Sequence, residues 1–195
     1  MQINTSHETE APMFNPWHDL SLGSNAPHEL QVLIEIPAKS RVKYELDKET
    51  GLMRVDRILH SAVYYPTNYG LIPQTYCEDN DPLDVFVFSG ESLLSNSIVM
   101  VRPVGIIHME DGGEKDDKIV AVMVKDPEWG QYRHIEDLIP HKIRELTQFL
   151  KDYKTLENKQ VIVSDVEGNT VAKKSIEDAI ALYGSKKSQL VKKSR

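Results

Sequence analysis

Residues 77–88 read Cys77-Glu78-Asp79-Asn80-Asp81-Pro82-Leu83-Asp84-Val85-Phe86-Val87-Phe88. Pro82 has no N–H to donate and cannot continue a helix, so the Asp/Asn/Pro cluster reads as a turn. Val85 to Phe88 is β-branched and aromatic, which predicts a short buried strand. Asp79, Asp81 and Asp84 are then held at the mouth of a rigid strand, where like charges repel. A solvated acidic turn accounts for the cluster. So does a site for hard divalent cations such as Mg²⁺, which takes oxygen ligands and keeps several waters. An EF-hand is excluded. Counting from Asp79, the sixth position is Asp84 rather than Gly and the twelfth is Gly90 rather than Glu.

A second acidic stretch tips the balance toward metal. Glu110-Asp111-Gly112-Gly113-Glu114-Lys115-Asp116-Asp117 lies between two apolar runs, 97–109 and 118–125, that read as strands joined by a hairpin loop. Taken alone it is a solvated charged loop.

Upstream, 30–37 alternates as a strand, with Leu30, Val32, Ile34 and Ile36 expected on one face and Glu35 on the other. In 41–46, Val42, Tyr44 and Leu46 oppose Arg41, Lys43 and Glu45. Asp47 to Gly51 predicts a hairpin turn, and 52–59 returns as a strand carrying Arg57. Residues 61–76 predict an ordered loop with aromatic anchors, including Tyr65 and Tyr69. Downstream, Ile143, Leu146, Phe149, Leu150 and Tyr153 take helical spacing after Pro140. A last strand is expected over 159–164 and a second helix over 172–183, closed by Gly184. The basic end, 185–195, is expected to be disordered. Residues 1–28 predict a flexible tail and then an irregular arm in which Trp17 packs on the body.

The 195 residues suffice for one domain, 1–195. A net charge of −7 argues against nucleic acid or an anionic membrane as partner. It leaves an anionic substrate open, since metal ions reverse the local field. Cys77 is the only cysteine, so an internal disulfide is impossible and a reducing, cytoplasmic location is expected. No apolar run approaches the roughly 20 residues of a membrane span.

The unusual polar residues then form one set. The acids are Glu35, Glu45, Asp79, Asp81, Asp84, Asp111 and Asp116. The cations are Lys43, Arg57, Lys118 and Lys154, and the tyrosines are Tyr65, Tyr69 and Tyr153. Acids alone suit metal binding. Acids with Lys and Arg on neighbouring strands suit metals bound together with a polyanion, as phosphoryl chemistry requires.

Asp79-Asn80-Asp81-Pro82-Leu83-Asp84-Val85 resembles the signature of the family I soluble inorganic pyrophosphatases. The likeness runs on through Ile34-Glu35-Ile36-Pro37, residues 43–51, Val55-Asp56-Arg57, residues 65–70, Arg102-Pro103-Val104-Gly105, residues 111–118 and Asp152-Tyr153-Lys154. It thus covers about 30–155 in order, and so long a series is far more specific than a lone DxDxxD. The resemblance implies a mostly β, α+β fold: a closed five-stranded OB-like barrel flanked by two helices. It implies Mg²⁺-dependent hydrolysis of pyrophosphate by a water held between metals, with Asp81 as general base. Asp79, Asp84 and Asp116 would bind the first Mg²⁺, and Asp84 the second. Asp111 and Asp116 would bind metals arriving with substrate, with Glu35 acting through water. Lys43, Arg57, Lys118, Tyr153 and Lys154 would hold phosphate groups. Tyr65 and Tyr69 would line the site, Tyr69 tuning a carboxylate, and Glu45 would support the wall. A homo-oligomer is expected, a hexamer in bacterial members. Here, however, the long helix carries Gln148-Phe149-Leu150-Lys151-Asp152, without the histidines that support that hexamer. The arm around Asn15-Pro16-Trp17-His18-Asp19 looks plant-type. Rival readings are a nucleotide phosphohydrolase, an OB-type nucleic-acid binder and an inactive homologue.

Overall fold

The computed structural model describes residues 14–193. The expected flexible tail, 1–13, lies outside them. The strands are β1 (Leu30–Ile36), β2 (Val42–Leu46), β3 (Met53–Ile58), β4 (Asn68–Leu71), β5 (Asp84–Phe88), β6 (Ser97–Asp111), β7 (Glu114–Lys115), β8 (Lys118–Met123) and β9 (Val161–Gly168). The helices are α1 (Pro16–Asp19), α2 (Pro140–Asp152) and α3 (Asn169–Lys193).

Strands run in the order β1-β4-β5-β8-β6, and β6 pairs back onto β1, so five strands close into an OB-like ring. β5 and β8 are parallel, with Asp84 opposite Lys118. Parallel strands are covered on both faces and lose the simple in/out alternation. Val85, Val87, Ile119 and Ala121 pack with Ala172 and Ile176 of α3. Phe86, Phe88, Val120 and Val122 face Leu146, Phe149 and Leu150 of α2. The hairpin β2–β3 stands off the ring as its own two-stranded sheet.

Several expectations are corrected. The stretch 61–76, expected as a loop, contains the ring strand β4. Ile36 does not share a face with Leu30, Val32 and Ile34; it belongs to the α2-side core. The β1–β4 register shifts at Glu35, and this bulge re-aims the strand beyond it. The helix expected to stop at Gly184 runs through it to Lys193, and the tail expected to be disordered is helical that far. Gly184 weakens the helix by about 1 kcal/mol, but tertiary contacts hold its last turns. Lys186 lies 4.9 Å over the Tyr76 ring, and Leu190 packs on the cluster of Trp17, Tyr76 and Tyr183. As expected, Trp17 packs on the body, 2% exposed.

Candidate active site

Five segments converge on one cleft of about 320 Å³. β1 supplies Glu35, and the hairpin β2–β3 supplies Lys43, Glu45 and Lys48. The turn before β5 supplies Asp79 and Asp81, and the first residue of β5 is Asp84. The β6–β8 connection and the end of α2 supply Asp111, Asp116, Lys118, Tyr153 and Lys154.

The turn is built as its composition dictates. Asn80 takes a positive φ of 69°, which Asn tolerates better than most residues. The Asp81 N–H donates to Asp79 Oδ1 (3.0 Å), and the Cys77 N–H donates to the Asp81 carbonyl (2.8 Å). Tyr76 hydroxyl donates to Asn80 Oδ1 (2.6 Å). The loop is therefore rigid, while the Asp81 side chain remains half-exposed.

Acids and cations interleave. Lys118 Nζ sits between Asp84 and Asp116, 2.5 Å from an oxygen of each. Lys154 pairs with Asp111, and Lys48 with Asp81. Lys43 pairs with Glu45 and lies 3.4 Å from Asp56. Burial opposes the charge on Lys118, but Asp84 and Asp116 outweigh it and raise its pKa. The acids remain undercompensated. Burial, Asp116 and Asp84 push Asp79 up to about 7. Burial, then Asp84, push Glu35 up to about 8, although its Oε1 accepts from the Leu46 N–H at 2.8 Å. Burial also raises Tyr65, Tyr69 and Tyr153, so these phenols are neutral donors; Asp84 adds to the shift of Tyr69.

Arg57 stands apart. It pairs across the hairpin with Lys43, bonds Glu157 Oε1 at 2.8 Å and contacts Asp56, and it does not line the cleft. One of its guanidinium nitrogens, Nη2, is buried without a partner among the described residues. Sequence reasoning left several liners out of the set, among them Lys48, Glu114 and Trp17. Lys48 lies in a stretch legible only as a hairpin turn, and Trp17 reaches the cleft through tertiary packing.

Among the described residues, no group of three or more His, Cys, Asp or Glu side chains stands in ligating geometry. Lysine ammoniums take those oxygens instead. The donor set still fits Mg²⁺: it is all carboxylate oxygen, comes from separate segments, and is buried and crowded enough to hold Asp79 and Glu35 far above ordinary carboxylates.

Comparisons with known proteins point to one family. The family model described as inorganic pyrophosphatase matches residues 32–184. Soluble inorganic pyrophosphatase 1 of Arabidopsis thaliana is 50% identical over 169 residues, 87% of this chain and 80% of the relative. Soluble inorganic pyrophosphatase 2 of Chlamydomonas reinhardtii is 48% identical over 169 residues, 87% and 88% of the two chains. Among solved structures, the inorganic pyrophosphatase of Thermus thermophilus superposes with a TM-score of 0.82 at 36% identity. It covers 85% of this chain and 97% of its own. That of Helicobacter pylori gives 0.81 at 40%, covering 85% and 98%.

Proposed function

Because the chain belongs to the inorganic pyrophosphatase family, we propose that its cleft hydrolyses pyrophosphate to two orthophosphates with Mg²⁺ as cofactor and Asp81 as general base. The observation that carries this is the interleaving of carboxylates and lysines around one cleft, which suits a polyanion bound with metals. Asp79, Asp84 and Asp116 would hold the first ion and Asp84 the second. Asp111 and Asp116 would take ions that enter with substrate, with Glu35 acting through water. Divalent cations there would polarise phosphorus and bring the pKa of water from about 15.7 toward about 7.

The chain's own groups supply the rest. Asp81 is half-exposed at the cleft, open to an attacking water, and takes its proton as the oxygen bonds to phosphorus. The bridging P–O bond breaks and its electron pair leaves with the second phosphate. Lys118 and Lys154, now on carboxylates, would exchange onto phosphate oxygens and neutralise the leaving group. Tyr153 and Tyr65 donate neutral O–H groups, and Tyr69 bears on Asp84. Arg57, opposite Lys43 on the hairpin with its Nη2 unpartnered among the described residues, would have to turn toward the cleft to hold phosphate. Glu45 fixes Lys43 in the wall.

The same reading takes the protein to be a cytoplasmic homo-oligomer. Its single cysteine suits a reducing compartment, and Val55 and Ile58 expose apolar surface on β3. No helix among the described residues is long and apolar enough to cross a membrane.

Phosphate release from pyrophosphate and from ATP, with and without Mg²⁺, tests the reading. Fast Mg²⁺-dependent release from pyrophosphate alone is expected. No release from folded protein with Mg²⁺ present would refute it, and release from ATP instead would make the chain a nucleotide phosphohydrolase.

A further inference from the structure

Lys48 belongs to the turn between β2 and β3, on the wall facing the acidic turn. Among the described residues its ammonium has the following contacts. It pairs with the Asp81 carboxylate, donates to the Asn80 carbonyl at 3.3 Å, and lies 5.6 Å from the centre of the Trp17 ring. Trp17 is itself fixed. Its indole N–H donates to the Thr75 carbonyl at 2.9 Å, its carbonyl accepts from the Gln74 N–H at 2.8 Å, and its ring stacks on His18 and Tyr76. Asn15 of the same arm donates to the Lys48 carbonyl at 2.8 Å. The arm therefore ties the hairpin turn to the acidic loop from outside, and Lys48 spans the gap between them.

We infer that Lys48, seated on Trp17, is a positioning residue for hydrolysis: it fixes the Asp81 carboxylate in the rotamer that takes the proton. The inference rests on the role proposed for Asp81. The backbone of Asp81 is fixed by its own turn, and its carboxylate is held by Lys48. An exposed ion pair contributes little to stability. Its effect here is on orientation. Without the ammonium, the carboxylate spreads over its staggered wells, and the share in reacting geometry falls by about three- to tenfold. The face of Trp17 restricts the flexible lysine stem through a cation–π contact.

The test is steady-state kinetics on Lys48→Met, Lys48→Arg, Asp81→Asn and the double variant Lys48→Met/Asp81→Asn. Lys48→Met keeps the stem and removes the charge. It is expected to lower kcat about three- to tenfold with KM within about twofold. Lys48→Arg should restore most of the loss, since guanidinium also stacks on indole. In the Asp81→Asn background, Lys48→Met should have no further effect, the mark of two residues acting as one unit. Unchanged kcat in Lys48→Met, with Asp81→Asn impaired, overturns the inference alone. Additive losses in the double variant, or a change confined to KM, also overturn it, because Lys48 would then act on substrate. Full activity in Asp81→Asn would remove the role of Asp81 and this inference with it.

Discussion

The Glu35 carboxyl sits at the bulge in β1, 6% exposed, with one backbone N–H to steady it. Burial and Asp84 raise its pKa from 4.5 to about 8 in the folded chain. The folded state thus holds this proton where the unfolded chain has released it, and stability falls as pH rises from about 4.5 through about 8. In metal-free protein under chelator, Glu35→Gln keeps an acceptor for the Leu46 N–H and removes the titration. Melting curves of the two proteins should nearly coincide near pH 5, and by pH 8 the variant should melt a few degrees higher. A constant offset across that range would show that Glu35 does not titrate there. Asp81 presents the opposite case. It is half-exposed on a rigid turn, so Asp81→Asn should leave the melting temperature within about 2 °C and lower turnover by about 10²- to 10⁴-fold. Unimpaired turnover would take the proton-acceptor role from it.

Where β1 meets β4, the backbone approach leaves no room for a side chain at Gly70. A Cβ there would stand 2.0 Å from the Leu33 carbonyl oxygen and 3.0 Å from Ile34 Cα. That seam carries Glu35 on one strand and Tyr69 on the other. Gly70→Ala should therefore separate two ring strands and destabilise the protein by about 3 kcal/mol or more, read from urea or thermal unfolding. A loss below about 1 kcal/mol would mean the seam relaxes freely. The same strands show what composition and period can reveal. β5 is legible because Val85-Phe86-Val87-Phe88 has one reading, and α2 because Pro140 and its apolar spacing agree. The period of two misplaces Ile36 because a bulge depends on how a ring closes, not on local pattern. The end of α3 is not legible because Gly184 is a local stop signal, overridden by Tyr76 and Trp17 far away in the chain. In the cleft, the carboxylates announce themselves by crowding. Lys48 does not, since its partners come from the acidic loop and α1.

At the scale of the molecule, the acids proposed to hold metal come from β1, the turn into β5 and the β6–β8 connection, segments that meet only in the folded chain. Cations that bind them together bind the folded state and have no comparable site on the unfolded one. Such a ligand stabilises by about 2.7 kcal/mol at 100 times its Kd. At about 2–4 °C per kcal/mol for a chain of this size, Mg²⁺ should raise the melting temperature by about 5–10 °C. Its binding must displace Lys118 and Lys154 from carboxylates, so part of the gain offsets those lost pairs. Na⁺ at equal ionic strength screens the same repulsion without bridging segments, and should give a much smaller shift. Asp84→Asn removes a carboxylate from the centre of the set and should cut the Mg²⁺ shift by at least half. Equal shifts with Mg²⁺ and Na⁺ would mean that the acids feel only screening. The metal role of Asp79, Asp84, Asp111, Asp116 and Glu35 would then fall, even if the protein hydrolysed pyrophosphate.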